Sequence, residues 1–169
     1  MRGFFLFQNA QKTLEPTQQT TVYTIGYEGL TTQRLLKKLR ARGIEQLLDI
    51  RADPFSRKSG FSGDQLRVLL TAEGIRYISM PGLGIPREYR HRGISAESLL
   101  ALYEEVLLAK VPGQIDRAAR LCRARPTVLL CFEADAHLCH RGRLARRLES
   151  LYGFHAVHLR DDFDLLPGF

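Results

Sequence analysis

No apolar run in this sequence approaches the roughly 20 residues that a membrane-spanning helix needs. The apolar stretch near the start, Phe4-Phe5-Leu6-Phe7, is too short even for the core of a signal peptide. Cysteine is scarce: Cys122, Cys131 and Cys139 make an odd set that suggests no disulfide framework and fits free thiols in a reducing compartment. The expected location is therefore cytoplasmic, with no membrane contact. Several motifs are also missing. Pro81-Gly82-Leu83-Gly84 lacks the G-x-G-x-x-G spacing of a dinucleotide site, and its glycines are expected to serve turns. A C-x5-R phosphatase loop is excluded, because the arginine position counted from Cys131 holds His137. No C-x-x-C pair is present, so zinc held by Cys131, Cys139, His137 and His140 is disfavoured and no metal site is expected.

What is present fits one globular domain. A hydrophobic fraction of 44% and a charged fraction of 25% suit a single core in a chain of 169 residues. The net charge of +7 favours phosphate-bearing partners such as nucleotides, nucleic acid or anionic metabolites, against the plain alternative of a solubilising surface. Residues 1–20 read as a flexible arm and residues 21–169 as one domain, with Asp161-Asp162-Phe163-Asp164 as an acidic surface end.

A helix ending in glycine, then a hydrophobic residue and a strand, occurs three times. The copies centre on Gly43-Ile44, Gly74-Ile75 and Gly153-Phe154. Repetition of this unit implies parallel strands joined by helical crossovers. Apolar spacing predicts strands over 22–25, 46–51, 75–79, 127–132 and 155–159, with helices over 33–42, 63–73, 96–109, 115–123 and 139–152. Thr31 or Thr32 is expected to cap the first helix, Ser95 the third, and Ser62 with Gln65 to form a capping box. Pro112-Gly113 is expected to end the helix that follows Ser95. The fold class is α/β: three layers, with a mostly parallel sheet of about five strands. The strand order does not follow from the sequence.

Open parallel sheets bind ligands beyond the carboxyl ends of their strands. The residues that follow each predicted strand are therefore the candidates. They are Gly26, Tyr27 and Glu28; then Asp49, Arg51, Ser56, Arg57 and Lys58; and then Glu133, Cys139, His140 and Arg141. Cys139 falls at a helix start, where backbone N–H groups stabilise a thiolate and attract anions. Cys139 is a candidate nucleophile with His140 as base, although neighbours on a helix point about 100° apart. Alternatively, Glu133 acts as acid or base while Arg141, aimed inward, holds an anionic substrate. Asp49 and Arg51 share one strand face and either pair with each other or bracket a substrate. Ser56-Arg57-Lys58 suits phosphate. Cys122 and Cys131 read as small buried hydrophobes. Arg143, Arg146 and Arg147 read as a solvated face, and His91, His155 and His158 carry no motif.

These segments occur in a recognisable order: Thr24-Ile25-Gly26-Tyr27-Glu28-Gly29, Asp49-Ile50-Arg51 through Gly60-Phe61-Ser62, Leu83-Gly84-Ile85-Pro86, and Leu129 through Cys139-His140-Arg141. The chain resembles the domain-of-unknown-function 488 family, in the branch with this first-strand motif, over residues 22–159. It departs at Ala136, where family members often have proline. The resemblance implies an α/β fold and a polar cluster built from these loops, and it implies no activity or cofactor. The expected function is an enzyme or ligand-binding protein for a small anionic or phosphate-bearing substrate. Glu28, Asp49, Glu133 and Cys139 are its catalytic candidates; Gly26, Tyr27, Arg51, Ser56, Arg57, Lys58, His140 and Arg141 are its ligand-binding candidates. The alternatives are a nucleic-acid-binding or nucleic-acid-modifying protein and a non-catalytic ligand sensor.

Overall fold

The computed structural model describes residues 20–90 and 93–160. The expected arm before Thr20, the acidic end after Arg160 and His91 lie outside the described residues.

Five strands form one parallel sheet in the order β3-β2-β4-β1-β5. They are β1 (Thr21–Gly26), β2 (Gln46–Asp49), β3 (Arg76–Ser79), β4 (Thr127–Cys131) and β5 (His155–Leu159). β4 is the central strand, and all five of its residues are buried, as a strand covered on both faces requires. Alternation sends its residues to opposite layers. Val128 and Leu130 meet α1 (Thr32–Ala41) and α2 (Gly63–Ala72) through Leu35, Leu39, Leu66 and Leu70. Leu129 meets the other layer, built from α4 (Ala96–Leu102), α5 (Pro112–Ala124) and α6 (His140–Tyr152). The three layers inferred from helix–glycine–strand repetition are therefore present. Gly43, Gly74 and Gly153 end their helices with φ of 59°, 72° and 70°, a region costly for any residue with a Cβ.

Thr31 caps α1 by accepting from the Arg34 N–H, and Ser95 caps α4 by accepting from the Ser98 N–H. The capping box at Ser62 does not form. The Ser62 hydroxyl donates to the Ser56 carbonyl, and the Gln65 side chain accepts from the Gly60 N–H, so both side chains brace the preceding loop. The helix expected over 96–109 is α-helical only to Leu102; a π turn follows at Tyr103–Leu107 and a 3-10 turn at Leu108–Lys110. The wide turn buries Tyr103, whose hydroxyl donates to the Leu83 carbonyl at 2.7 Å. Pro112 opens α5 rather than merely breaking the helix before it, as suits a residue with no N–H to offer. A short helix, α3 (Arg87–Arg90), and a 3-10 turn at Pro81–Leu83 were not expected from spacing. No helix among the described residues is long and apolar enough to cross a membrane.

The order of the strands decides where a site can form. β1 and β4 are neighbours, yet the chain leaves β1 for α1 on one face and β4 for α6 on the other. Loops that diverge from adjacent parallel strands open a crevice at their carboxyl ends.

Candidate functional site

Beyond its last paired residues the sheet is extended by backbone bonds. The Tyr27 N–H donates to the Cys131 carbonyl and the Glu28 N–H to the Phe132 carbonyl. The loop after β4 is then pinned in three places. Wholly buried Arg141 donates to the carbonyls of Glu133 and Ala134 and to the Thr24 hydroxyl. Exposed Glu28 accepts from the Ala134 N–H at 2.9 Å. Gly26 permits this approach, because a Cβ there would stand 1.8 Å from the Glu133 carbonyl oxygen. Arg141 does aim inward, as its position on the helix predicts, and its guanidinium fixes a loop.

On the α1/α2 face lies a buried ionic network. Arg51 Nε meets Asp49 Oδ1 at 2.8 Å and its second arm meets Asp49 Oδ2, a bidentate pair with almost no solvent exposure. The Tyr77 hydroxyl donates to Asp49, while Arg51 Nη1 donates to the Tyr27 hydroxyl and the Phe61 carbonyl. Burial works against the Arg51 charge, yet the Asp49 carboxylate holds its pKa above the ordinary value. Burial, with the same carboxylate next, pushes the Tyr77 phenol up. Tyr27 stacks on Phe61 at 4.6 Å and meets the Phe132 ring edge-on at 5.3 Å. Lys58 donates to the Tyr27 carbonyl from above the Phe61 ring. Ser56 accepts from the Lys58 N–H, and Arg57 is exposed. A cleft of about 260 Å³ opens on this side, lined by Phe55, Asp64, Arg67 and Tyr77 among others; none of its lining residues belongs to the cluster described next.

On the opposite face, Cys131, Glu133, Cys139 and His140 converge. One donor atom from each lies within 4.8 Å of all the others. Cys131 ends β4, Cys139 is the N-cap of α6 and His140 its first residue, so a strand end and a helix start set three of the four positions. Both thiols donate to Glu133 Oε2, at 3.2 Å from Cys131 and 3.0 Å from Cys139. His140 Nδ1 lies 3.4 Å from Cys131 Sγ, while its Nε2 lies 3.1 Å from the Ile50 carbonyl oxygen. Tyr103 meets the His140 ring edge-on. The two cysteines and His140 are buried; Glu133 is the half-buried member.

The electrostatics change the reading of Cys139. A helix start favours thiolate, but burial outweighs it and, with the adjacent Cys131 sulfur, pushes the Cys139 pKa up despite His140. As a free thiol it is protonated at neutral pH. Glu133 goes the other way: burial opposes its charge, yet hydrogen bonds led by Cys139 hold it below the ordinary carboxylate value. Tyr103, buried against the His140 ring, is raised by burial first and by the neighbouring sulfurs second.

Of the candidates chosen from sequence, Glu133, Cys139 and His140 are together. Asp49 and Arg51 form a separate network, and His140 reaches the Ile50 carbonyl between them. Glu28 meets the loop and not the cluster. Cys131 is buried at the end of β4, as its place in an apolar strand predicts, and its sulfur also joins the cluster. His137, weighed as a zinc ligand, is exposed and faces His158 instead. Arg143 and Arg147 are half-buried on Glu104, bonded to its carboxylate and its carbonyl; Arg146 alone of that trio is exposed.

Fold and cluster together define an all-parallel α/β domain whose chemistry-bearing loops meet at the carboxyl edge of the sheet. The chain belongs to the DUF488 family, a domain of unknown function, whose family model matches residues 31–148. That span runs from the cap of α1 into α6 and includes the thiol–imidazole–carboxylate cluster and, apart from Tyr27, the ionic network. No curated protein and no solved structure matches the chain.

Proposed function

We propose that this protein is an enzyme or ligand-binding protein for a small anionic or phosphate-bearing compound, received at the rim where the loops after β1, β2 and β4 meet. The observation that carries this reading is the convergence of two thiols, an imidazole and a carboxylate at the divergence of β1 and β4. A polar constellation of this kind adds little to stability and is costly to bury, so function is its better explanation. The loops along the rim favour a ligand with both a flat apolar part and a negative charge. Phe132 and Leu138, on the loop after β4, expose 45% and 67% of their surface, and Phe55, on the α1/α2 side, exposes 70% on the loop that also carries exposed Arg57 and half-buried Lys58. Glu133, the member nearest solvent, is the acid–base candidate, because its carboxylate is held ionised.

Thermal unfolding with inorganic phosphate and a series of nucleoside monophosphates tests the binding. A monophosphate is expected to raise the Tm of the wild type and not of Phe132→Ala combined with Arg57→Ala; no shift across the series sinks the reading. For a ligand so found, Glu133→Gln retaining binding and losing turnover identifies an enzyme, whereas no turnover in the wild type identifies a sensor.

A second reading has its own support. Arg117, Arg120 and Arg123 are all exposed at three-residue spacing along α5, a cationic stripe suited to a phosphate backbone. Anisotropy of a labelled oligonucleotide at low salt should then rise steeply with protein and collapse as salt increases. An unchanged signal for Arg117→Glu with Arg120→Glu removes the stripe from the interface.

A further inference from the structure

We infer that Cys131 Sγ, Cys139 Sγ, His140 Nδ1 and Glu133 Oε2 form a binding site for one divalent transition-metal ion of the zinc class. The inference concerns the cluster that carries the functional reading and rests on its placement, not on the ligand proposed there. Four donors around such an ion are separated from one another by about 3.3–3.8 Å, given metal–sulfur and metal–nitrogen distances of roughly 2.3 and 2.0 Å. The observed separations of 3.2 Å and 3.0 Å from Glu133 to the two sulfurs, and of 3.4 Å and 4.0 Å from His140 Nδ1 to Cys131 and Cys139, bracket that range. All four donors lie within 4.8 Å of one another, close enough to gather on one ion by local side-chain movement.

The far nitrogen of the imidazole is held. His140 Nε2, 3.1 Å from the Ile50 carbonyl oxygen, has an acceptor for its proton, which leaves Nδ1 unprotonated; Cys131 Sγ lies against the ring, 3.4 Å from Nδ1 and 3.7 Å from Nε2, so ligation requires the imidazole or the thiol to turn. A carbonyl holding the far nitrogen of a ligand histidine is a recurrent feature of metal centres. Two sulfurs select a borderline-soft ion such as zinc over magnesium or calcium. Each thiol gives its proton to solvent as it ligates. The absence of a C-x-x-C pair is no obstacle, since one sulfur comes from the end of β4 and the other from the cap of α6. The loop between them is clamped by Arg141 and Glu28, so the four donors are held before any ion arrives. Glu133, the half-buried ligand, is the one placed to exchange with water or with a bound substrate.

The test is a titration of the full chain, stripped with chelator under reducing conditions, with cobalt(II) chloride. The expected result is one cobalt per chain, a sulfur-to-cobalt charge-transfer band of two-thiolate intensity and the strong visible bands of tetrahedral cobalt, all bleached by one equivalent of zinc chloride. The wild-type spectrum decides without recourse to variants: folded protein that gives no band, or one of single-thiolate intensity, overturns the site. Cys139→Ser and His140→Gln should abolish the tetrahedral spectrum and Cys122→Ser should leave it intact, while a spectrum that persists in Cys139→Ser also overturns it. Glu133→Gln should keep the charge-transfer band and weaken binding at least about 10-fold. A Tm rise with a nucleoside monophosphate in stripped protein that shows no cobalt band would leave the functional reading standing and remove the metal. A cobalt band without response to any ligand would do the reverse.

Discussion

Two polar assemblies sit back to back at one edge of the sheet, and they are satisfied in different ways. In the Asp49–Arg51–Tyr77–Tyr27 network, Asp49 is met by two arms of Arg51 and by a phenol, and Arg51 by a carboxylate, a phenol oxygen and a carbonyl. Its charged groups are paired with one another. In the Cys131–Glu133–Cys139–His140 cluster the sulfurs, the carboxylate and one imidazole nitrogen meet chiefly one another, through weak thiol hydrogen bonds. The first assembly resembles a structural joint that happens to be charged. The second is a set of donors pre-arranged around a shared centre. Charge in a crevice is thus a poor guide to function by itself; what separates the two is whether the groups have completed one another.

The largest expected effect tests the joint. Arg51→Met leaves Asp49 charged, buried and short of its bidentate partner, and should cost about 3–5 kcal/mol in urea unfolding. Asp49→Leu combined with Arg51→Met should recover most of that loss, because an apolar pair carries no stranded charge. A double substitution as damaging as the single one would mean that the network does more than hold β2 to the loop after it. Next comes Arg141→Met, which strands the Glu133 and Ala134 carbonyls and should cost roughly 2–3 kcal/mol. Its cost in cobalt or zinc affinity should exceed its cost in stability, since the loop it releases carries Glu133. Smaller still is Cys139→Ala in chelator-treated protein, at about 1–2 kcal/mol for a lost thiol contact and a small cavity. If that single change in metal-free protein matched Arg51→Met, the contrast between joint and donor set would fail.

Much of this architecture could be read from the sequence, and the parts that could not have a common cause. Gly43, Gly74 and Gly153 gave away the crossovers because a left-handed helix end leaves few alternatives to glycine. The run Thr127-Val128-Leu129-Leu130-Cys131 gave away a central strand because a doubly covered strand has no polar face to show. Strand order was not legible: β4 inserting between β2 and β1 depends on how the helices divide between two faces, which no local pattern records. At the site, Cys139 and His140 were legible as a helix start next to a strand end. For Cys131 burial was legible and its partners were not, since a buried cysteine in a strand looks the same whether its sulfur meets a leucine or a histidine. Arg143 and Arg147 were misread as solvent-facing because their partner, Glu104, lies in a π turn that helical spacing does not predict.

The smallest effect separates the two assemblies by pH. His158 on β5 bonds through Nδ1 to the Thr24 hydroxyl, which Arg141 contacts from its other side. Burial first, then the Arg141 and His137 charges, hold the His158 pKa below its ordinary 6.5, so the folded state prefers the neutral ring. A protonated ring binds its proton better in the unfolded chain. The stability due to His158 is therefore present in full above about pH 6.5 and drains as the pH falls through the lower folded value. Wild-type Tm should decline more between about pH 7 and pH 5 than that of His158→Gln, whose amide keeps a bond to Thr24 without titrating there. The disturbance should reach the cluster, because Arg141 grips the loop that carries Glu133, and should bypass Asp49 and Arg51. Equal pH slopes for the two proteins would show that the Thr24–Arg141 side of the rim tolerates a second positive charge, and would remove His158 as a route from β5 to the donor set.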